Sequence, residues 1–424
     1  MRVMNMTDNC SGSPLYMVSF SASPWRIWSS LTVPSRRLLR SEEVIQALDL
    51  ESSRVGLVGI VDDATFALLQ KQLKLVLPLI EKWSFGLALL IPWQDPPSSG
   101  IRFDGQLYSF VCSPALLMSI LASGEPLSAD TAAYAILAAL LSGNAKVDRL
   151  VIRQLGQPQM GERILIQNDT AVIMAHRGQA SHLECALSSI RRMHLHGSVK
   201  TFVGLDDDAK GYRSLCSRYP EVRFYYVPAP PCGHFYIKQH LIELCKQKFI
   251  AFHDSDDVSC DDRIIVTLGE LARTNSDIVG CHELRLDEIN QKLEVYRFPL
   301  DVVKALEIQQ QGAQLHASTV VNRSRFLEIG GLSTDLRIAN DTQFRLRAFF
   351  SLRMRNVDAF LYIRRRHQQS LTMAPETALG CPLRAKLRIS WEAAFAAIRQ
   401  GNVAIEDSSL RPARNALRVP LIRM

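Results

Sequence analysis

The sequence of 424 residues is short of charge and has no apolar stretch long enough to cross a bilayer; charged residues make up 21% of it. The longest apolar runs cover residues 85–93 and 132–141, whereas a spanning helix needs about 20 residues. Its nine cysteines include no C-x-x-C pair and no framework spacing. The first 40 residues lack the apolar core of a signal peptide. We therefore expect a cytoplasmic protein with reduced thiols.

What the sequence does contain is enough apolar material for two ordinary domains, since 47% of its residues are hydrophobic. The net charge of +7 lies largely at the end of the chain, where residues 364–424 hold eleven Lys/Arg against four Asp/Glu. Such a basic surplus could bind phosphates, an acidic acceptor or the inner face of a membrane. It is equally typical of a helix end exposed to solvent. We expect no nucleic-acid partner.

The first part of the chain divides into an irregular segment, residues 1–40, and an accessory α/β domain of unknown role, residues 41–160. Strand-like runs occur at residues 54–61, 85–93 and 147–155. Residues 62–77 and 128–143 have helical spacing, with acidic or cap-type residues in front. The alternation of strand and helix predicts a parallel sheet.

After a linker near residues 156–162 the alternation restarts and covers a predicted domain at residues 165–375. Buried strands are expected at "TAVIMAH", "VKTFVGL", "VRFYYV" and "KFIAF", with helices between them. This order is typical of a doubly wound, nucleotide-binding sheet. Residues 376–424 form a basic helical tail. Its helix has an apolar face at Leu383, Leu387, Trp391 and Phe395, which suits either the domain core or a membrane surface.

Two of the predicted strands end in carboxylates, at Asp206–Asp208 and at Asp254–Asp257. Ligands bind at the carboxyl ends of strands in such sheets. Like charges clustered there must be solvated or paired. A divalent cation such as Mg²⁺ or Mn²⁺ satisfies this requirement, because these ions bind carboxylates together with substrate phosphates. The later acids, Asp261 and Asp262, suit the start of a helix.

Six segments, taken in order, resemble the family 2 glycosyltransferases, which have the GT-A fold. They are "AVIMAHRGQASHLECALSSI", "TFVGLDDDAKGY", "KFIAFHDSDDVSCDDRI", "HASTVVNRSRFLEIGGL", "ANDTQFRLRAF" and "RRRHQQSLT". The resemblance covers residues from about 169 to 375, which is about half of the chain. It implies a mostly parallel sheet flanked by helices that binds a nucleotide sugar. The third segment carries an Asp-x-Asp (DXD) motif, Asp254-Ser255-Asp256.

The resemblance also assigns roles to individual residues. Asp256 would bind the metal (Mn²⁺ or Mg²⁺) that holds the diphosphate, and Asp254 would contact the metal's waters or the ribose. His367 would lie near the diphosphate and the metal. The alternative for the Asp-x-Asp pair is a solvated acidic turn, and for His367 a structural histidine.

Further positions of the resemblance concern the donor and the reaction. Asp206 or Asp207 would bind a uracil ring, while Asp208 suits a turn. Asp341, in the first turn of a helix, would be the general base, or else a helix cap. The remaining donor-binding residues implied are Ala175, Arg177, Lys238 and Gly331. The alternative for Lys238 is an ordinary surface lysine, and for Gly331 an ordinary turn. Arg347 could pair with an acid or with a phosphate, or it could stabilise its own helix.

The function implied is an inverting, metal-dependent, non-processive hexosyltransferase. It would move a sugar from a donor, which we expect to be UDP-linked, to a carbohydrate or lipid-linked acceptor in surface polysaccharide or glycoconjugate assembly. Non-processive action is expected because the Gln-x-x-Arg-Trp motif and the membrane helices of processive members are lacking. The alternatives are a nucleotidyltransferase, which would need a Gly-rich basic loop after the first strand, and a non-catalytic scaffold.

Overall fold

The computed structural model describes residues 169–193, 199–229, 231–290, 292–310, 312–414 and 419–424, together with six strands in the first 168 residues. These strands are β1 (Val3–Asn5), β2 (Tyr16–Ser19), β3 (Val55–Gly59), β4 (Phe85–Pro92), β5 (Leu107–Cys112) and β6 (Val151–Gln154). They pair in chain order, with β2, β3 and β4 parallel and the other pairs antiparallel. Three of them fall on predicted strands, whereas β1 and β2 lie in the segment predicted to be irregular. The two predicted helices lie outside the described residues.

A second sheet starts at residue 170 and follows the predicted alternation of strands and helices. Its first elements are β7 (Thr170–His176), α1 (Ala180–Met193), β8 (Val199–Leu205), α2 (Arg213–Arg218), β9 (Arg223–Tyr226), α3 (His234–Leu244) and β10 (Phe249–Phe252). Every residue of β7 is buried, as expected for a strand covered by helices on both faces.

The later part of the domain adds strands on both sides of the central ones, and further helices. These elements are β11 (Val258–Ser259), α4 (Arg263–Thr274), β12 (Ile278–Asp287), β13 (Lys292–Tyr296), α5 (Val302–Glu307), β14 (Val320–Asn322), α6 (Arg323–Glu328), α7 (Asn340–Ala348), β15 (Met354–Arg366), α8 (Pro382–Arg399) and β16 (Ile422–Arg423). The helix predicted after Asp261 and Asp262 is α4: Asp262 occupies its N-cap position, and Asp261 pairs with Arg192 of α1 at 2.9 Å.

The strand order of this sheet is β11-β15-β12-β14-β10-β7-β8-β9-β16, and β13 pairs with β12. The predicted parallel core is confirmed, since β9, β8, β7 and β10 run parallel in the order expected of a doubly wound sheet. The flanks differ from the mostly parallel sheet that was expected. β14 runs antiparallel to both of its neighbours, and β11 and β16 are antiparallel edge strands. The domain is therefore a mixed α/β sheet.

Alternate residues of β7 enter two separate cores. Val172 and Met174 pack with α1, while Ala171 and Ile173 pack with α3. This division follows from the two-residue period of a strand, which points successive side chains to opposite faces. The sheet thus lies between two helical layers, and the ends of its central strands are held rigidly.

The apolar face of α8 belongs mainly to the second of these cores. Trp391 and Phe395 are buried there and Leu387 is packed against them, whereas Leu383 stays 45% exposed. The face therefore serves chiefly to attach the tail to its own domain. Among the described residues, no helix combines the length and the apolar character needed to span a membrane.

Candidate active site

A cavity of about 650 Å³ opens at the carboxyl ends of β7, β8 and β10. Strand order reverses here, because β8 and β9 are added on one side of β7 and β10 on the other. Doubly wound folds bind ligands at such a point. The walls come from strand ends and from two later loops, at residues 175–179, 254–257, 334–337 and 369–372, with Asp206, Lys238, Arg364, Arg365 and His367 among the other lining residues.

Asp254 lies two residues after the end of β10 and is bound by a buried lysine. Lys238 of α3 is 3% exposed and donates a 2.5 Å hydrogen bond to Asp254 Oδ1. Burial alone would raise the pKa of Asp254, but the ammonium of Lys238, with help from His234 and His316, holds that pKa well below its ordinary value. Asp254 is therefore a fixed negative charge at the cavity. Lys238 lies in the interior and is not a surface lysine.

Asp256 is paired with a histidine that comes from the far end of the domain. Its Oδ2 lies 2.9 Å from His367 Nε2, just after β15. Burial acts to raise the pKa of Asp256, but the hydrogen bond from His367 leaves that pKa below normal. The ring of His182 lies 4.7 Å from that of His367, measured between centroids. The fold thus brings together three side chains that are far apart in the chain.

Asp257 has a different role from its two neighbours. It is buried, and its Oδ1 accepts a 2.8 Å hydrogen bond from the backbone N–H of Arg365. Burial and then the charges of Asp256 and Asp254 raise its pKa well above the ordinary value. This side chain fixes the acidic turn to the end of β15.

The cavity also presents positive charge. Arg177 and Arg337 are exposed and line it, and neither makes a hydrogen bond or a close ion pair with a described residue. Arg364 and Arg365 come from the end of β15, where Arg365 pairs with Glu288 at 2.5 Å. Guanidinium groups that face a cavity can bind phosphate oxygens through several N–H donors. The mixture of carboxylates and guanidinium groups suits a phosphorylated ligand.

His176, the last residue of β7, lines the cavity and is buried. Its Nδ1 lies 2.9 Å from Ser255 Oγ, while its Nε2 has no hydrogen-bond partner among the described residues. Burial lowers the pKa of His176 to about 4, so its ring is neutral at pH 7. Neither His176 nor His182 was predicted as a site residue, although both lie in the first segment of the family resemblance.

The acids after β8 are all used in local structure. Asp206 Oδ1 and Oδ2 accept hydrogen bonds from the backbone N–H groups of Cys232 (2.7 Å) and Gly233 (2.9 Å), and so hold the start of α3. Asp207 accepts from the backbone N–H groups of Gly178 and Asp208. Asp208 bonds Lys210 N, as expected of a turn residue. Of these three, only Asp206 is among the residues lining the cavity.

Asp341 lies in the first turn of α7, as predicted, but it is not among the residues lining this cavity. Within the described part of the chain it makes no hydrogen bond. Burial would raise its pKa, yet the electrostatic influence of neighbouring basic groups, with His316 and Arg345 first, lowers it. His234, which does line the cavity, also interacts with it electrostatically. Asp341 is therefore an ionised carboxylate near a residue of the cavity lining but outside that lining.

The Gly330–Gly331 turn is held by Arg347, which is buried. This guanidinium donates to the carbonyls of Ile329 (2.9 Å), Leu410 (2.8 Å) and Gly331. Gly331 has φ +63°, and a Cβ there would lie 2.4 Å from Gln239 Oε1. Glycine is therefore favoured there by backbone conformation, and a larger residue would have to displace the Gln239 side chain. Arg347 stabilises this turn, and Gly331 does not line the cavity.

Asp254 and Asp256 are the side chains of the cavity that could bind a metal ion. Among the described residues no group of three or more His, Cys, Asp and Glu side chains is arranged to hold an ion. Two carboxylates two positions apart nevertheless face the cavity, and magnesium sites often use one or two carboxylates completed by substrate phosphates. The donor set fits a metal bound jointly with a diphosphate.

The predicted residues thus fall into two groups. The cavity brings together Ala175, Arg177, Asp206, Lys238, Asp254, Asp256 and His367. Asp207, Gly331 and Asp341 lie outside its lining. The roles assigned to all of these residues remain predictions. Arg337 could not have been selected from sequence, because it lies in a loop with no motif.

No protein-family model and no curated protein matches the chain. Among solved structures, it is similar to residues 1–349 of S. aureus TarS in complex with UDP-GlcNAc, at 11% identity and a TM-score of 0.42, covering 54% of this chain and 73% of that one. The same fragment in complex with UDP shows 12% identity, a TM-score of 0.40 and coverages of 56% and 73%. At identities and scores this low, no property of those proteins is carried over to this chain.

Proposed function

We propose that this chain is an inverting, metal-dependent glycosyltransferase that uses a nucleotide-sugar donor, UDP-linked, and adds one sugar to an acceptor hydroxyl. The observation that carries the proposal is that Asp254 and Asp256 line the same cavity as Arg177, Arg364 and Arg365, at the reversal point of a doubly wound sheet. The motif resemblance over about half of the chain supports the same reaction. Surface polysaccharide or glycoconjugate assembly is the process in which we place it.

The donor's diphosphate is assigned to the cavity wall that carries Arg177, Arg364 and Arg365. Asp254, Asp256 and His367 would hold Mn²⁺ or Mg²⁺, which supplies neutralisation of the charge that develops on the departing diphosphate. Lys238 keeps Asp254 ionised and in place through their 2.5 Å contact. Asp206, the only lining residue of the three acids after β8, is our choice for the uracil ring. Its two oxygens already accept one backbone N–H each, and a carboxylate oxygen can accept a second bond.

Asp341 is proposed as the general base. It would take the proton of the acceptor hydroxyl while that oxygen forms a bond to the anomeric carbon. The bond from the anomeric carbon to the diphosphate oxygen breaks, and the nucleoside diphosphate leaves with the electron pair. Attack from the side opposite the leaving group inverts the sugar's configuration. The lowered pKa of Asp341 means that its carboxylate is ionised at pH 7 and can accept a proton, as a general base must.

Binding and chemistry can be tested separately. UDP with Mn²⁺ should raise the melting temperature of the full chain, and UDP with EDTA should not. Asp256→Asn should abolish the metal-dependent shift, whereas Asp169→Asn, at the opposite end of β7, should leave it intact. Absence of any metal-dependent shift with UDP or UDP-sugars would refute the donor site.

Asp341→Asn isolates the role of the base. The variant should bind UDP and Mn²⁺ like the wild type but transfer sugar about 10² to 10⁴ times more slowly, the usual contribution of a general base. Transfer is measured as UDP release in the presence of acceptor. Unchanged turnover in this variant would show that Asp341 is not the base.

A further inference from the structure

A second cavity, of about 580 Å³, lies between α7, α8 and the end of α5. Its floor is apolar and comes from two helices. Trp391 and Phe395 of α8 are 3% and 2% exposed, and Leu346 of α7 is nearly buried beside them. An aromatic floor of this kind can pack against a sugar ring or an alkyl chain.

Three guanidinium groups stand around this floor, from Arg345, Arg384 and Arg388. Arg345 donates to the carbonyl of Gln314 at 2.6 Å, and Arg384 Nε donates to the carbonyl of Thr377 at 2.8 Å. These bonds fix both side chains while using only part of the five N–H donors of each. Among the described lining residues the one carboxylate is Glu392, which lies 4.0 Å from Arg388. The cavity therefore carries an excess of positive charge.

The position of Asp341 connects this cavity with the first one. Ala339, Thr342 and Arg345 line the second cavity and flank Asp341 along α7. Arg345 and Arg384 interact electrostatically with Asp341, and so does His234, which lines the first cavity. A general base must reach the acceptor hydroxyl while that oxygen attacks the donor. Asp341 interacts with residues that line each of the two cavities.

We propose that the second cavity binds the acceptor, and that this acceptor carries a phosphate or carboxylate group beside an apolar or ring-shaped portion. The acidic group would pair with Arg384 and Arg345, and the ring or chain would lie on Trp391 and Phe395. The three guanidinium groups outnumber the two nearby carboxylates, Glu392 and Asp341, so the site favours an anionic ligand over a neutral one. The acceptor role rests on the proposed transfer reaction, whereas the binding of an amphipathic anion does not.

Binding of a simple probe tests the inference. Octyl phosphate, titrated below its micellar concentration into the full chain by calorimetry, should bind at least tenfold more tightly than neutral octyl glucoside. Arg384→Gln should weaken octyl phosphate binding at least tenfold. Lys386→Gln is the matched control, because Lys386 is an exposed cation on the same helix that does not line the cavity. Arg345→Gln provides a second variant on another helix, and circular dichroism verifies that each variant is folded.

The possible results separate the two proposals. Failure of octyl phosphate to bind, equal binding of octyl glucoside, or equal losses in Arg384→Gln and Lys386→Gln would overturn the inference, even if UDP still binds with Mn²⁺. If octyl phosphate binds as expected but UDP shows no metal-dependent binding, the anion site is supported. The proposed transferase function, and with it the acceptor role of this cavity, is then refuted.

Discussion

The contact between Lys238 and Asp254 leads to a quantitative prediction. The two side chains meet at 2.5 Å, and Lys238 is 3% exposed while Asp254 is 45% exposed. Replacing Lys238 by Met removes the buried ammonium, the one cation that forms an ion pair with Asp254 among the described residues, and leaves Asp254 next to Asp256. We expect the two residues of this pair to be strongly coupled in stability.

The size of the coupling follows from the unequal burial of the partners. Breaking a fully buried ion pair costs about 3–5 kcal/mol, whereas exposed pairs contribute about 0–1 kcal/mol. Because solvent screens the half-exposed Asp254, we expect a coupling energy of about 2 kcal/mol between these limits. Lys246→Met serves as the control, because Lys246 is exposed and makes no ion pair among the described residues.

The assay is a double-mutant cycle of Lys238→Met and Asp254→Asn, with free energies of unfolding from urea denaturation followed by circular dichroism. The pKa of Asp254 is lowered in the folded state, so this stabilisation is complete above its ordinary value of 3.8 and is lost only as the pH falls through the lower, folded value. The coupling should therefore be the same at pH 7 and pH 5. Additive effects of the two substitutions, or a coupling that disappears between these pH values, would refute the reasoning.

Two further predictions concern stability. His176 has a pKa of about 4 in the fold against 6.5 ordinarily, so it stabilises the protein fully above pH 6.5 and progressively less as the pH falls toward 4. Between pH 7.5 and 5 the free energy of unfolding should therefore fall by about 2 kcal/mol. His176→Gln should remove that part of the pH dependence. If urea denaturation gives the same change of unfolding free energy with pH in the variant, the prediction is contradicted. Arg347→Met deprives three carbonyls, two of them in buried hydrogen bonds, of their donor and should lower the free energy of unfolding by about 3 kcal/mol. The exposed Arg353→Met is the control, and equal losses in the two variants would argue against this role of Arg347.

Much of the domain could be predicted because its signals are local. The strand "TAVIMAH" and the helix "ASHLECALSSIRRM" appear at the predicted residues, since a buried parallel strand and an amphipathic helix each have a distinctive spacing. The acidic ends of β8 and β10 were visible for the same reason. The antiparallel insertion of β14 was not, because strand direction depends on pairing with partners far along the chain.

The candidate site likewise contains residues that could be selected from local sequence and contacts that depend on tertiary packing. Asp254, Asp256 and His367 could be selected by motif, but that Lys238 is a buried partner of Asp254 depends on how α3 packs beside β10. Asp206 looked like a ligand-binding acid, and only the fold shows that it also holds the start of α3. Arg347 had three open interpretations in the sequence, and packing selected the turn at Gly330–Gly331.

The sequence by itself determined the alternation of strands and helices and the acidic strand ends, because both are encoded in neighbouring residues. The tertiary structure alone decided which acid meets which cation, that Asp341 interacts with residues of two cavities, and that a second cavity exists at all. These properties join residues separated by up to about two hundred positions in the chain. Their energies depend on distance and burial, which appear only once the sheet and its helical layers have assembled.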